Sequence, residues 1–371
     1  MKLVIISSAP LLFREGKAYA YSPYVKEIVI WEKYTEEIVF CCPIWENQKK
    51  LLIDEIPFEF SKHHKLIDFN LNSVRNISKS FFCSIFNLLV IFKAMYSADH
   101  IHLRCPGNIG LLGCFVQVFF PKKIKTAKYA GNWDPQSKQP WTYKLQKRIL
   151  SNTFLTKNMT VLVYGDWKNQ TKNIKPFFTA TYSENEKNAI EKPFLNSVIE
   201  FVFVGSLVSG KSPLYAIKLV EELIKKGHNS VLNLYGDGVE RDSLEQYIKE
   251  NRLENNIFLK GNQNKETLKK AYQKSHFVIL PSKSEGWPKA IAEGMFWGCV
   301  PISTKVSCVP YMLDYEKRGI LIDMDLQKDV SKIVDCLKEN RFLETSKSAA
   351  AWSQDYTIEI FESEIKKLLI K

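Results

Sequence analysis

The stretch Pro281-Ser-Lys-Ser-Glu285-Gly-Trp-Pro288-Lys-Ala-Ile-Ala-Glu293-Gly-Met-Phe-Trp-Gly298-Cys-Val-Pro-Ile-Ser303 decides the reading of this chain. An apolar run of strand length, Phe277–Leu280, leads into it. Pro288 suits the first turn of a helix, where its missing N–H costs nothing. Gly298 suits the residue just past the helix end, and Cys299–Ser303 reads as the next strand. A strand–loop–helix–strand unit predicts a parallel sheet with a crossover helix. In such sheets ligands collect beyond the C-terminal strand ends, here the loop Ser282–Trp287 and the helix start behind it. Gly286 leaves room for a ligand against the backbone. The helix N–H groups favour an anion such as a diphosphate. Two carboxylates, Glu285 and Glu293, are unfavourable beside an anion unless they accept hydrogen bonds from hydroxyls. Sugars and riboses offer hydroxyls in pairs.

Glu-x7-Glu behind an apolar strand ending in Pro-Ser resembles the donor-site signature of family-4 (group 1) retaining glycosyltransferases of the GT-B fold. The resemblance implies that Glu285 holds the donor sugar and Glu293 the ribose. Gly205-Ser206-Leu207 followed by Lys211 is similar to the family's Gly-Arg-Leu-x3-Lys, whose Arg and Lys bind the donor diphosphate. Lys211 matches; Ser206 stands in the Arg slot. Gly236-Asp237-Gly238 comes next in the family's order, and the strand Ile257–Lys260 corresponds to one that flanks the nucleobase. A looser match is Asp-His-Ile-His-Leu-Arg-Cys-Pro at 99–106, where Arg104 occupies the slot of the family's second His. Arg104 could pair with a phosphate or a carboxylate instead.

The donor set implied by the resemblance is therefore Gly205, Ser206, Lys211, Gly236, Lys260, Glu285, Gly286, Trp287, Pro288 and Glu293. Its catalytic members are Glu285 and Lys211, joined by Arg104. On the acceptor side, the first loop ends at Gly16 and Lys17. The strand end at Asn132 and Trp133 offers a hydrogen-bonding amide and a ring that could stack on a sugar; Arg104 completes that group. No metal and no cofactor are expected beyond the nucleotide-sugar donor. Asp323 and Asp325 read as a turn.

The 371 residues suffice for two domains with separate cores. Strands and helices alternate in both halves, which gives α/β. The resemblance sharpens this to GT-B, two doubly wound Rossmann-like domains facing across a cleft. The expected boundaries are 1–190 for an acceptor-binding domain and 191–345 for a donor-binding domain. A last helix at about 346–371 is expected to pack back on the first.

The net charge of +12 is uneven. Residues 1–190 carry 26 basic and 15 acidic side chains, a net +11. The first half is expected to face something anionic, a bilayer or a phosphorylated acceptor. Lys122, Lys123, Lys125, Lys144, Lys147 and Arg148 are the candidates. Nucleic acid is not expected, since no recognition motif accompanies the charge. The run Phe81–Phe92 is too short to span a membrane and reads as a buried helix, with interfacial contact as the alternative. Eight cysteines without C-x-x-C or zinc spacing read as core residues of a reducing compartment. The expected function is retaining, metal-independent sugar transfer to a glycan or lipid-linked acceptor in cell-surface polysaccharide or glycolipid synthesis. The expected place is the cytoplasm, with peripheral attachment at the inner face of the cell membrane. The alternatives are a noncatalytic GT-B partner subunit and a sugar-nucleotide epimerase of the same fold.

Overall fold

The structure, a computed structural model, describes residues 1–48, 52–69, 74–188 and 198–369. The chain divides into two compact units, Met1–Phe177 with Phe361–Lys371, and Phe178–Ile360. The boundary expected at 190/191 lies outside the described residues. Residues just after Phe177 already pack within the second unit. The Tyr182 ring lies 4.8 Å from Phe296 and 5.2 Å from Trp297, and the Thr357 hydroxyl donates to Glu184 at 2.6 Å.

The first unit is built on a parallel sheet of seven described strands. Their order is Ile174–Phe177, Met159–Tyr164, Ile124–Tyr129, His100–Cys105, Lys2–Ile6, Glu37–Pro43, Lys62–Leu66. One face of the central strands is apolar throughout, whereas the other is apolar on Lys2–Ile6 and Glu37–Pro43 but carries buried His100, His102, Thr126 and Lys128 on the next two strands. Val4, Ile6, Val39, Ile101, Leu103 and Ala127 are fully buried. The edge strand Lys62–Leu66 (Lys-His-His-Lys-Leu) is too polar to be read from pattern. A small antiparallel sheet, Leu12–Arg14, Lys17–Tyr21 and Ile53–Glu55, replaces most of the expected first loop. Its hairpin turns at Glu15 and Gly16, both at positive φ.

The second unit carries a parallel sheet of six described strands. Their order is Ile257–Gly261, Ser230–Tyr235, Ile199–Val204, Phe277–Leu280, Val300–Thr304, Ile320–Ile322. The helix Lys289–Phe296 lies directly on the strand Phe277–Leu280. A Cβ at Gly294 would sit 2.6 Å from Val278 Cγ1, so only glycine lets the two approach this closely.

The tail differs from the expected single returning helix. Glu339–Gln354 stays with the second unit; there Ser346 Oγ donates to Gly298 O at 2.6 Å and Ser353 Oγ to Ala292 O at 2.7 Å. A separate helix, Ile358–Leu369, carries the residues that join the first unit. There Phe361 meets Phe177 at 5.3 Å, and Glu362 accepts from Lys33 and Tyr34 at 2.9 and 2.8 Å. The break at Asp355–Thr357 lets one face of each helix meet a different unit. All eight cysteines are buried and unbridged.

The turn after Ser230–Tyr235 makes the tightest backbone contact. Gly236 has φ +139°, and a Cβ there would lie 1.9 Å from the Gly205 carbonyl oxygen. Gly236→Ala is expected to destabilise the second unit by about 3 kcal/mol or more, because backbone rather than a flexible side chain blocks the methyl. Urea denaturation measures this; a loss below about 0.5 kcal/mol would show that the two turns can separate freely.

Candidate functional site

Three strand ends build the site in the second unit. Ile199–Val204 runs into Gly205-Ser206-Leu207, and Ser230–Tyr235 runs into Gly236-Asp237-Gly238. Backbone bonds join these turns: Gly205 N to Tyr235 O at 2.9 Å, Leu207 N to Asp237 O at 3.0 Å, Gly236 N to Gly261 O at 2.9 Å. The third end is the loop behind Phe277–Leu280. Lys283 N donates to Gly210 O at 2.9 Å, and the Lys283 amine donates to Ser209 Oγ at 2.9 Å.

These ties bring Lys211 to Glu285, Nζ to Oε1 at 2.5 Å. Glu285 is buried, with its side chain 8% exposed, while Lys211 is 29% exposed. Residues 74 apart in sequence thus form one ion pair at the mouth of the parallel sheet. Pro288 takes the capping position just before the helix Lys289–Phe296, one residue earlier than its expected place inside the first turn. Glu293, further along that helix, accepts hydrogen bonds from the Thr181 hydroxyl at 2.8 Å and the Tyr272 hydroxyl at 3.2 Å. A recess beside it is lined by Thr181, Lys289, Glu293, Trp287 and Tyr356. The Gly286 carbonyl accepts from Ser307 Oγ and Cys308 Sγ, each at 3.2 Å, which fixes the loop between the two carboxylates.

Other expected members stand differently. Trp287 is 7% exposed, its ring stacked at 6.1 Å on Trp352 and 5.8 Å from Tyr356, so it supports the loop from behind. Ser206 is exposed on its turn and brings no charge. Lys260 ends the strand Ile257–Gly261 with its amine over the Phe258 ring at 4.6 Å. Lys283 was not singled out from sequence; its signal was its place between Pro-Ser and Glu285. Asp325 caps the helix Leu326–Cys336, and Asp323 pairs with Lys305 at 2.7 Å. Among the described residues no His, Cys, Asp or Glu cluster is arranged to hold a metal ion.

In the first unit Trp133 is a correction. It is 2% exposed, sits edge-on to Tyr129 at 4.9 Å, and donates from Nε1 to Gln170 at 3.1 Å; no face is open for a sugar. Asn132 Oδ1 accepts from Asp134 N at 2.9 Å and shapes the local turn. Gly16 and Lys17 lie on the exposed hairpin, where Lys17 pairs with Glu55 at 3.0 Å; a groove is lined there by Phe13, Lys17, Glu55 and Phe58. Arg104 is taken up by its own unit: its guanidinium lies 3.1 Å from Glu27 and 4.2 Å from the Tyr24 ring centre. Lys128 pairs with the same Glu27 oxygen at 2.8 Å. Burial acts to raise the Glu27 carboxyl, but Lys128 and then Arg104 outweigh it and hold it at about 2. Burial lowers His102 to about 3 and His100 to about 4, so both are neutral at pH 7; both bond the Thr126 hydroxyl, at 2.8 and 2.9 Å.

Residues 185–355 match the family model described as glycosyl transferases group 1. That match spans somewhat less than half of the chain, and the likeness to the group 1 glycosyl transferases is confined to it. An uncharacterized glycosyltransferase of Haemophilus influenzae is 29% identical over 171 residues, 45% of this chain and 47% of that protein. The poly(glycerol-phosphate) alpha-glucosyltransferase of Bacillus subtilis is 27% identical over 143 residues, 37% of this chain and 20% of that protein. The chain thus spans less than half the length of these curated relatives. Among solved structures, the lipopolysaccharide outer core galactosyltransferase WaaB in its apo form matches with a TM-score of 0.71 at 15% identity, over 99% of each chain. Anabaena Alr3699/HepE in complex with UDP and glucose matches with a TM-score of 0.66 at 13% identity, over 99% of this chain and 98% of that one. The fold is GT-B, with two Rossmann-like halves.

The buried charges of the first unit predict acid sensitivity. His100 and His102 have depressed values when folded, so the unfolded chain binds protons first. Their contribution is complete above the ordinary 6.5 and is lost as pH falls toward 4 and then 3. Glu27 adds stability that is present above its ordinary 4.5 and is lost toward 2. The melting temperature of the first unit should therefore fall from just below pH 6.5 and fall further below 4.5. Glu27→Gln strands two cations, so it should cost about 3–5 kcal/mol at pH 7 and flatten the lower step. A wild-type melting curve that stays level from neutral pH to 3 would contradict this assignment.

Proposed function

We propose that the protein is a retaining glycosyltransferase that moves a sugar from a nucleotide-sugar donor to a glycan or lipid-linked acceptor. The observation that carries the reading is the Lys211–Glu285 pair at the sheet mouth, ahead of a helix that presents Glu293. The solved relatives with UDP, or with UDP and glucose, support a nucleoside-diphosphate sugar as the donor class. The Bacillus relative, whose name specifies poly(glycerol-phosphate), supports a phosphate-linked polymer as the acceptor class.

The chemistry follows from charge. A diphosphate near the Glu285 carboxylate meets a repulsion of about 3 kcal/mol per charge at roughly 5 Å and an effective dielectric of about 20. Lys211, already seated on Glu285, cancels that repulsion and has further N–H bonds to offer the diphosphate. As the glycosidic bond breaks, negative charge grows on the leaving diphosphate. Lys211 and the first-turn N–H groups of Lys289–Phe296 stabilise it there. Lys283 supplies the second cation that Ser206 lacks. Glu285 is then released to hold the sugar hydroxyls and the positive charge at the anomeric carbon. Glu293 exchanges the Thr181 and Tyr272 hydroxyls for those of the ribose. The reading calls for no metal.

Four measurements test it. A screen of nucleotide sugars without acceptor should find one that is slowly hydrolysed. Donor binding with neither hydrolysis nor transfer would favour a noncatalytic partner subunit. Lys211→Ala should lower kcat by about 10²–10³-fold with a smaller loss of donor affinity, because its charge is worth most as the diphosphate leaves. Equal loss in binding with kcat intact would make it a binding residue only. Glu293→Gln should weaken nucleoside diphosphate binding by about 1.5–3 kcal/mol by calorimetry; unchanged affinity would remove the ribose role. EDTA should leave activity intact, and its abolition by chelation would overturn the metal-free route.

A further inference from the structure

The helix Val74–Tyr96 does not match its expected burial. Its inner positions Cys83, Asn87, Ile91, Ala94 and Met95 are buried against the first sheet. Its outer positions from 81 to 92 are Phe81, Phe82, Ile85, Phe86, Leu89 and Phe92, all exposed. Phe82 is 73% exposed and Leu89 68%. An ordinary surface helix shows polar residues on that side. The orientation is fixed by the fold: Asn87 accepts from Ile67 N and donates to Ile67 O, both at 2.9 Å. The apolar surface continues onto Phe119, 71% exposed, whose ring lies 6.2 Å from Phe92. Among the described residues no helix is long and apolar enough to cross a membrane.

Cations border this surface. Lys93 and Lys122 are exposed, and the Lys123 amine holds Tyr96 O and Ala98 O at 2.6 Å each. No acidic residue occurs from 81 to 98. We propose that this face docks on an anionic lipid bilayer, with the phenylalanines in the headgroup–acyl boundary and Lys93 and Lys122 among the headgroups. The choice of occupant rests on charge. A second copy of the chain would bring the same net positive half against this one, whereas an anionic bilayer offers negative surface and apolar depth together. The lysines expected to form the basic patch are only partly available. Lys125 is buried with its amine on Gln117 O and Phe120 O, at 3.2 and 3.1 Å, and Lys147 donates to Asp134 O at 3.1 Å. The apolar face therefore supplies the anchor and the charge supplies the preference. This proposal stands apart from sugar transfer, since it is tested without donor or acceptor.

The test is flotation of the full chain with phosphatidylcholine vesicles, with and without phosphatidylglycerol, at low and high salt. Wild type should bind the phosphatidylglycerol vesicles, and salt should weaken binding without abolishing it. The double variant Phe82→Ser, Leu89→Ser should lose about tenfold or more in partitioning with no drop in melting temperature, because both side chains are exposed. Lys93→Glu with Lys122→Glu should erase the preference for the anionic lipid. Absence of wild-type binding, or equal binding by the serine variant, would overturn the proposal. So would a wild-type dimer in sedimentation that the serine variant dissolves, since a second copy would then cover the face.

Discussion

The second unit depends on one close approach of backbone to backbone. The turns after Ile199–Val204 and Ser230–Tyr235 meet at Gly205 and Gly236, with no room for a Cβ on Gly236. Paired N–H and C=O groups hold the turns there, and burial makes those bonds costly to leave unmade. Lys211 follows the first turn, so its position is inherited from this contact. The Lys283 N to Gly210 O bond extends the lock to the loop that carries Glu285. A flexible lysine is thereby aimed by rigid backbone.

Two of the ionic groups show opposite designs. In the first unit one carboxylate, Glu27, serves Arg104 and Lys128, with Tyr24 and the neutral His102 packed around them. Lys128 is 2% exposed, so separating that group would strand charge in a dry interior. In the second unit Lys211 and Glu285 form a simple pair with the lysine open to water. A partly exposed ammonium exchanges partners at smaller cost than a buried one, because water and an incoming anion both replace the carboxylate. Arg104 is therefore held as structure and Lys211 is free to exchange, although the family resemblance singled out both from sequence.

Most strands, and the loop and helix that carry Glu285 and Glu293, were legible because their signals are local. Leu3–Ile6, Ile199–Gly205 and Phe277–Leu280 are apolar runs, and Pro288 and Gly298 mark helix limits within a residue. What escaped has a common cause, namely dependence on distant partners. The edge strand Lys62–Leu66 forms because Glu37–Pro43 offers it a free side, not because of its own polar residues. The hairpin at Glu15-Gly16 was passed over as a loop because its strands are short and half exposed. Trp133 could not be assigned to core or site until Gln170 and Tyr129 were seen around it. The split of the tail into two helices depends on which unit each face meets.

Charge counting failed in an instructive way. The excess of lysine in the first half implied a basic surface, yet several of those amines point inward to main-chain carbonyls. Lys123 binds Tyr96 O and Ala98 O, Lys125 binds Gln117 O and Phe120 O, and Lys147 binds Asp134 O. Four of these five carbonyls lie at or just beyond helix C-termini, where orphan oxygens carry partial negative charge. A lysine used this way keeps its charge but spends its hydrogen bonds internally, and its long stem covers apolar neighbours. Burial lowers the Lys125 and Lys147 amines to about 8, the mark of groups withdrawn from water. Net charge therefore sets the far field of the first unit, while the side chains that can meet a partner are set by which amines the helix ends leave over. Lys144 and Arg148 stay exposed elsewhere on this unit, while Lys93 and Lys122 stay exposed beside the apolar face, and there recognition is decided by phenylalanine before it is decided by lysine.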